Sequence, residues 1–239
     1  MRFDILTIFT EYFDTLRFGL LGKAIDGGKF SINVVDIRDF SQDKHKKTDD
    51  APYGGGAGMV MTPDPIVRAI EATDPNHEAL RIYMSPRGKT LCQSKVESLA
   101  KKDRILLLCG DYEGIDERVL DLCIDEELSI GDYVLTGGEL PALIVVNSVA
   151  RYLDGVLGSS ESTSQESFAD GLLEYPQYTR PEVYRGLKVP EVLLNGNHND
   201  IERWRKEKSL EITMARRPDL MAKADITPYM PKKPKKRKK

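Results

Sequence analysis

Short apolar runs alternate along the chain with longer segments of helical character. The apolar runs predict strands at 3–9, 31–37, 80–84, 104–109 and 128–135. Helices are predicted for a segment that ends at Gly27-Gly28 and at 62–70, 91–101, 116–123 and 139–153. Because strands and helices alternate, we expect an α/β fold with a parallel, doubly wound sheet.

A change of composition divides the chain. Serine and other polar residues predominate between Gly158 and Gly171, which is typical of an interdomain linker. The sequence therefore predicts a first domain at 1–157, a linker at 158–171 and a small helical domain at 172–230, whose main helix covers about 200–217. A disordered basic tail is expected at 231–239.

Composition excludes several classes of protein. The 239 residues are 40% hydrophobic and 31% charged, as in globular proteins, and no apolar run approaches a membrane span, so we expect no membrane association. The three cysteines form no CxxC pair, which favours reduced thiols in a cytoplasmic protein. Seven of the last nine residues are Lys or Arg although the net charge is −3. The tail is either a solubilising extension or a weak attractor of RNA.

Two glycine-bearing stretches suggest a ligand pocket. Residues 107–114 and 129–141 each combine an apolar run with glycines where a helix pattern begins. Glycine at such a turn permits positive φ and lets a ligand approach the main chain. A third stretch at 80–88 repeats the pattern. Side by side, these loops would form a pocket of main-chain groups suited to an adenosine-like cofactor.

Other motifs are weaker. The glycine-rich segment 53–59 follows charged sequence rather than a strand, so it fails the dinucleotide-binding pattern. Gly88-Lys89-Thr90 lacks the upstream glycine of a phosphate-binding loop. The three histidines are scattered, and no metal-binding spacing or nucleophile elbow occurs, so no metal ligands are assigned.

One helix and several single residues have two interpretations each. The helix at 140–153 is apolar almost all round, which indicates burial in the core or a dimer interface. Arg151 near its end is either a surface side chain or one aimed at an anion. Glu166 is an ordinary linker carboxylate by itself. Trp204 lies among basic residues (Arg203, Arg205, Lys206 and Lys208), which suits RNA contact if it is exposed and a solvated helix face otherwise.

Taken together, these segments resemble the bacterial tRNA (guanine-N1)-methyltransferases of the SPOUT superfamily. The resemblance spans nearly the whole chain, and its most specific parts are 52–59, 110–118, 129–135, 171–181 and 189–194. It implies a deep trefoil knot around the cofactor loops, an obligate homodimer whose active site is shared between subunits, and tRNA as the partner. It also implies S-adenosylmethionine as methyl donor and a requirement for Mg²⁺, with no ligand set readable. Alternatives are a SPOUT enzyme with another RNA target and a catalytically impaired RNA-binding paralogue.

The resemblance assigns site residues. The cofactor-binding candidates are Tyr83, Met84, Ser85, Pro86, Gly110, Tyr112, Glu113, Gly114, Ser129, Ile130, Gly131, Asp132, Tyr133, Val134, Leu135, Gly137, Gly138 and Pro141. Arg151 matches a catalytic arginine that would stabilise negative charge developing at the guanine O6. Glu166 falls where the family usually carries a catalytic aspartate. Guanine N1 carries a proton, so attack on the methyl group needs a positioned base, and glutamate keeps the carboxylate with one extra methylene. Asp170 is the less favoured substitute.

Overall fold

The computed structural model describes residues 1–158 and 166–222. The tail at 231–239 and most of the serine-rich segment lie outside the described residues. The chain divides into two compact units, Met1–Ser159 and Ser160–Lys239. Within the described ranges, no helix has both the length and the apolar character needed to cross a membrane.

The first unit is built on a parallel sheet. Its strands in chain order are β1 (Arg2–Thr7), β2 (Ser31–Asp36), β3 (Asp49–Asp50), β4 (Val60–Met61), β5 (Leu80–Thr90), β6 (Arg104–Cys109) and β7 (Glu126–Ser129). Five of them form one parallel sheet in the order β2-β1-β6-β5-β7, whereas β3 and β4 pair separately as an antiparallel ladder. The strand β5 therefore lies between β6 and β7.

Helices cover both faces of this sheet. They are α1 (Gly19–Asp26), α2 (Pro63–Thr73), α3 (Gln93–Leu99), α4 (Glu117–Cys123) and α5 (Glu139–Ala150), with 3-10 helices at Thr10–Arg17 and Ile37–Phe40. Pro63 stands in the first turn of α2, where its missing N–H costs no helical hydrogen bond.

The alternation of side chains along each strand divides the core in two. Ile105 and Leu107 of β6 join the cluster that contains the buried residues of α3 and α5, whereas Leu106 and Leu108 join the cluster that contains those of α2 and α4. Because successive residues of a strand point to opposite faces, a run of apolar residues is what a strand buried on both sides requires.

A cluster of buried charged side chains lies at the edge of the sheet where the strands β1, β5 and β6 begin. The side chains of Asp4 and Asp74 are fully buried. Arg104 Nε lies 2.8 Å from Asp4 Oδ2, and Arg81 Nε lies 2.8 Å from Asp74 Oδ2. Asp74 also accepts hydrogen bonds from the backbone N–H groups of the two residues that precede β5. Both carboxylates are thus compensated, as buried charges must be.

The second unit contains α6 (His198–Arg216), α7 (Pro218–Met221), a 3-10 helix at Glu191–Leu193 and a hairpin of β8 (Val183–Tyr184) and β9 (Leu187–Lys188). Asn197 caps α6, since its side chain accepts the hydrogen bond of Asn199 N. Residues 166–172 form hydrogen-bonded turns, in which Phe168 N donates to Leu172 O at 2.7 Å.

The parallel α/β sheet with helices on both faces is confirmed, and three details of the secondary-structure prediction are wrong. The strand predicted at 128–135 ends at Ser129, because Tyr133, Val134 and Leu135 are exposed loop residues. The strand predicted at 80–84 continues to Thr90 past a register shift after Met84. The second unit was expected to be helical, and its β8–β9 hairpin was missed.

Candidate active site

Three loops meet at the edge of the sheet where the strands end. Because β5, β6 and β7 are adjacent and parallel, the segments that follow Met84, Cys109 and Ser129 lie next to one another. They enclose a cavity of about 370 Å³, which is within the range of small-molecule sites. Its walls are the residues 83–87, 110–115, 117, 128–131, 133–138 and 141.

Every predicted cofactor residue except Asp132 lines this cavity. Asp132 lies in the same loop and is exposed. The structure thus brings together residues that are more than fifty positions apart in the chain. That they bind S-adenosylmethionine stays a prediction, because proximity around a cavity does not identify the ligand.

Close backbone packing makes glycine necessary at the floor of the cavity. A Cβ atom on Gly138 would lie 2.8 Å from Cys109 Cα and 3.0 Å from Gly110 N. Gly138 N also donates a hydrogen bond to Gly110 O at 2.8 Å. The loop after β7 therefore rests directly on the backbone at the end of β6, and main-chain polar groups remain available to a ligand.

Tyr83 joins two of the cavity walls. Its side chain is buried, and its hydroxyl lies beside Gly110 and Gly114. A Cβ atom on Gly110 would lie 2.8 Å from that hydroxyl. Burial raises the pKa of Tyr83 to about 12, so the hydroxyl stays protonated at neutral pH.

The loop after β7 makes a tight turn before it reaches α5. Gly131 has φ of +148°, its N–H donates to Ser129 Oγ at 3.1 Å, and its carbonyl accepts from Tyr133 N at 2.9 Å. The next residues are exposed, with Val134 81% accessible. The turn therefore presents an apolar rim at the mouth of the cavity.

A second connection joins the cavity to the glycine-rich segment 53–58. Glu113 N donates to Met59 O at 2.9 Å, and Met61 N donates to Gly114 O at 2.9 Å. A Cβ atom on Gly58 would lie 2.5 Å from Glu113 Cγ, so the glutamate side chain fills the space that this glycine leaves. The segment that failed the dinucleotide-binding pattern thus abuts a cavity wall.

Charged residues missed by the sequence prediction also line the cavity. Arg87 Nη2 lies 3.0 Å from Glu117 Oε2 and 3.4 Å from Glu127 Oε2, and the hydrogen bond with Glu117 raises the pKa of Arg87. Asp111, Ile115, Leu128 and Thr136 are further wall residues that were not candidates. The sequence had placed Arg87, Asp111 and Thr136 within the three stretches expected to form the pocket (80–88, 107–114 and 129–141), but no signal marked them individually.

Glu139 supports the cavity from behind and was also missed. The residue is buried at the start of α5, and its Oε1 accepts a hydrogen bond from Thr7 Oγ1 at 2.7 Å. Its Oε2 lies 2.5 Å from the point that a Cβ atom on Gly137 would occupy. Burial raises the pKa of the Glu139 carboxyl. The side chain therefore links the end of β1 to the loop before α5.

The two predicted catalytic residues belong to different units. Arg151 is half-buried directly after α5, whereas Glu166 is half-buried in the second unit. Pro141 in the first turn of α5 lines the cavity, and ten residues of helix lead from it to Arg151, about 15 Å. Arg151 is not among the described residues that line the cavity of its own chain.

Metal ligation finds no support among residues 1–158 and 166–222, which contain no group of three or more His, Cys, Asp or Glu side chains placed to hold an ion.

Comparison with known proteins identifies the family. A model of the family described as tRNA (Guanine-1)-methyltransferase matches residues 1–223. A protein named tRNA (guanine-N(1)-)-methyltransferase from Caldanaerobacter subterraneus is 55% identical over 228 residues, which cover 95% of this chain and 94% of the relative. Proteins of the same name from Clostridioides difficile (52% identical; 94% of this chain and 99% of the relative) and Moorella thermoacetica (50%; 95% and 93%) are similar to it too. A match of this extent, on a chain whose glycine loops enclose a cavity at the sheet edge, leads to one conclusion: the chain belongs to the tRNA (guanine-1)-methyltransferase family.

Proposed function

We propose that this protein transfers a methyl group from S-adenosylmethionine to N1 of the guanosine 3′ of the anticodon of tRNA. The observation that carries the proposal is the three-loop cavity, whose walls are the segments that the resemblance to the family assigns to binding of the methyl donor. The reaction would take place in the cytoplasm, where its tRNA substrate is found. The domain limits, the trefoil knot of the SPOUT superfamily and the tRNA-binding role of the second unit are parts of the same proposal.

The cavity suits an adenosine-like methyl donor in size and chemistry. Its volume of about 370 Å³ matches a ligand of that class, and the glycine floor leaves backbone N–H and C=O groups to bind polar edges. Gly110, Gly138 and the residues 130–135 would hold the cofactor, with Tyr83 and Pro86 on the wall that the end of β5 forms between them. S-adenosylmethionine supplies an electrophilic methyl group when it is bound.

The remaining chemistry falls to Glu166 and Arg151. Guanine N1 becomes a competent nucleophile only when its proton is removed, and the Glu166 carboxylate is our candidate for the acceptor of that proton. The Arg151 guanidinium would oppose the negative charge that then develops at O6. Both roles are carried over from the family by position in the sequence. Magnesium dependence remains an expectation without assigned ligands.

We infer a homodimer from two observations on the first unit. Arg151 follows Pro141, a wall residue, by about 15 Å of helix and is not among the described residues that line the cavity of its own chain, so we infer that it serves the cavity of a second copy. Large apolar side chains are also exposed on α5 and in the segment 12–20 that precedes β2, namely Leu140, Ile144, Tyr12, Phe18 and Leu20. Such side chains are typical of a surface that another subunit covers.

The proposed function is tested with labelled S-adenosylmethionine and two tRNA transcripts that differ only in the base 3′ of the anticodon. We expect the transcript with guanosine to be labelled and the one with adenosine to remain unlabelled. Equal labelling of both would point to the alternative, a SPOUT enzyme with another RNA target. No labelling of either, with tRNA still bound, would point to the non-catalytic paralogue.

The role of Glu166 has its own test. The substitution Glu166→Gln keeps the shape and removes the proton acceptor, so turnover should be abolished while cofactor and tRNA affinity stay nearly unchanged. The substitution Glu166→Asp should retain activity. If Glu166→Gln methylates tRNA at the wild-type rate and Asp170→Asn does not, Asp170 is the base.

A further inference from the structure

Two buried hydroxyl groups of α6 hold the segment that follows Glu166. Ser209 Oγ donates a hydrogen bond to Leu173 O at 2.7 Å, and Leu173 N donates one to Thr213 Oγ1 at 2.9 Å. The Thr213 hydroxyl in turn donates to Ser209 O at 2.7 Å, which fixes its orientation. Thr213 is fully buried and Ser209 is 9% exposed. We call these three hydrogen bonds the Leu173 clasp.

Contacts beyond the clasp continue along the same helix. The Arg205 guanidinium lies over the Tyr175 ring at 4.8 Å, and the ring centroids of Tyr178 and Trp204 are 6.3 Å apart. As the segment advances from Leu173 to Tyr178, its partners therefore move back along α6 from Thr213 to Trp204. The segment runs antiparallel to the helix and is held at three successive places.

Little free chain separates the clasp from Glu166. Glu166 O accepts a hydrogen bond from Ala169 N at 3.2 Å, and Phe168 N donates to Leu172 O at 2.7 Å. Glu174 N donates to Ser167 Oγ at 3.0 Å, which closes the loop across the clasp. Leu172 itself is buried. The backbone of Glu166 is thus fixed by short internal bonds to a segment whose own place is set by α6.

We propose that Ser209 and Thr213 are positioning residues for the base carried by Glu166. This inference depends on the proposed function, because it assumes that the Glu166 carboxylate accepts the guanine proton. Removal of the Thr213 hydroxyl leaves the part-buried Leu173 N without its acceptor, so the segment must shift to satisfy it. Proton transfer and in-line attack depend on sub-ångström placement, and a displacement of about 1 Å lowers the rate by about 100-fold.

The test compares Thr213→Val, which keeps the shape and removes the hydroxyl, with Thr213→Ser, which keeps the hydroxyl. Methyl transfer is measured at saturating S-adenosylmethionine and saturating tRNA transcript with guanosine 3′ of the anticodon, and both dissociation constants are measured separately. We expect kcat of Thr213→Val to fall by about tenfold or more, with both dissociation constants within about twofold of wild type. Thr213→Ser should restore kcat.

Two further variants provide a second test and a control. Ser209→Ala removes one donor only and should lower kcat less; it provides the measurement if Thr213→Val does not fold. Met214→Ala, at an exposed neighbouring position of α6, should leave kcat unchanged.

Other results would overturn the inference. A wild-type kcat for Thr213→Val and Ser209→Ala would do so, and so would a loss that disappears when tRNA is saturating, since that would assign the clasp to tRNA docking. The substitution Glu166→Gln is measured in parallel. If it is inactive while Thr213→Val is normal, the inference alone fails; if it is fully active, the proposed base fails and the inference fails with it.

Discussion

The substitution Gly138→Ala adds a single methyl group at the floor of the cavity. Gly138 has φ of −84° and ψ of −6°, which alanine adopts without strain, so the backbone conformation itself is not disturbed. The new Cβ would lie 2.8 Å from Cys109 Cα and 3.0 Å from Gly110 N. Both are backbone atoms at the end of a buried strand, so neither can rotate away as a side chain would.

The size of the effect follows from this overlap. Ordinary contacts begin at 3.4 Å, so the loop that carries Gly138 must retreat by about 0.6 Å from β6. Insertion of a methyl group into packed structure costs about 1–3 kcal/mol. The retreat also stretches the hydrogen bond from Gly138 N to Gly110 O. If this free energy is lost from binding because the cavity is distorted, S-adenosylmethionine should bind about 5- to 150-fold more weakly.

The measurement is titration calorimetry of S-adenosylmethionine with the wild type, Gly138→Ala and Gly158→Ala. Gly158 has an ordinary φ, and no atom of the described residues lies within 4 Å of the position that its Cβ would take, so its substitution is the matched control and should leave the dissociation constant unchanged. Circular dichroism before and after titration establishes that both variants are folded. An unchanged dissociation constant for a folded Gly138→Ala would mean that the cofactor does not bind on this floor.

Three other predictions concern the rest of the chain. Asp74→Asn should lower the free energy of unfolding by about 3 kcal/mol in urea, because it breaks a buried ion pair with Arg81, whereas the exposed Asp64→Asn should cost less than about 1 kcal/mol. Burial alone would raise the pKa of Asp74, but hydrogen bonds from Arg81 and two backbone N–H groups lower it, so this stabilisation is complete above about pH 4 and is lost as the pH falls further. Tyr83→Phe removes the hydroxyl that lies beside Gly110 and Gly114 and should weaken S-adenosylmethionine binding about two- to tenfold by calorimetry; an ultraviolet titration of the wild type should show one tyrosine that ionises near pH 12 and is absent from the variant. Deletion of residues 231–239 should reduce the slope of log K for tRNA against log salt, since fewer phosphate contacts release fewer counterions, and an unchanged slope would assign the tail to solubility.

The sheet was predictable from the sequence because its strands are buried on both sides. The run Arg104–Cys109 is apolar at five successive positions, and only a strand covered on both faces needs that pattern. The same rule failed at Tyr133-Val134-Leu135, which is equally apolar but exposed at the mouth of the cavity. Periodicity cannot distinguish apolar residues that are exposed at a binding site from apolar residues that are buried in the core.

The glycines of the site were predictable, and its charged residues were not. A glycine where a strand ends has a local reason that the sequence displays, whereas Arg87 meets Glu117 thirty positions away and Glu139 meets Thr7 across the sheet. Such pairs depend on strand order, which the sequence does not reveal. The β8–β9 hairpin was missed for a different reason, since each of its strands is only two residues long and exposed.

The hydrogen bonds that join the cavity loops to one another have a consequence for the thermodynamics of binding. Gly110 is hydrogen-bonded to Gly138, and residues 113 and 114 are hydrogen-bonded to residues 59 and 61. Each backbone residue that a ligand must order costs about 1–2 kcal/mol of conformational entropy, and these loops are already ordered by their mutual bonds. Binding energy is therefore not diverted into folding the site, and a disturbance in one loop is passed to its neighbours. A substitution in any one of these loops should therefore change the affinity of the whole cavity for its ligand.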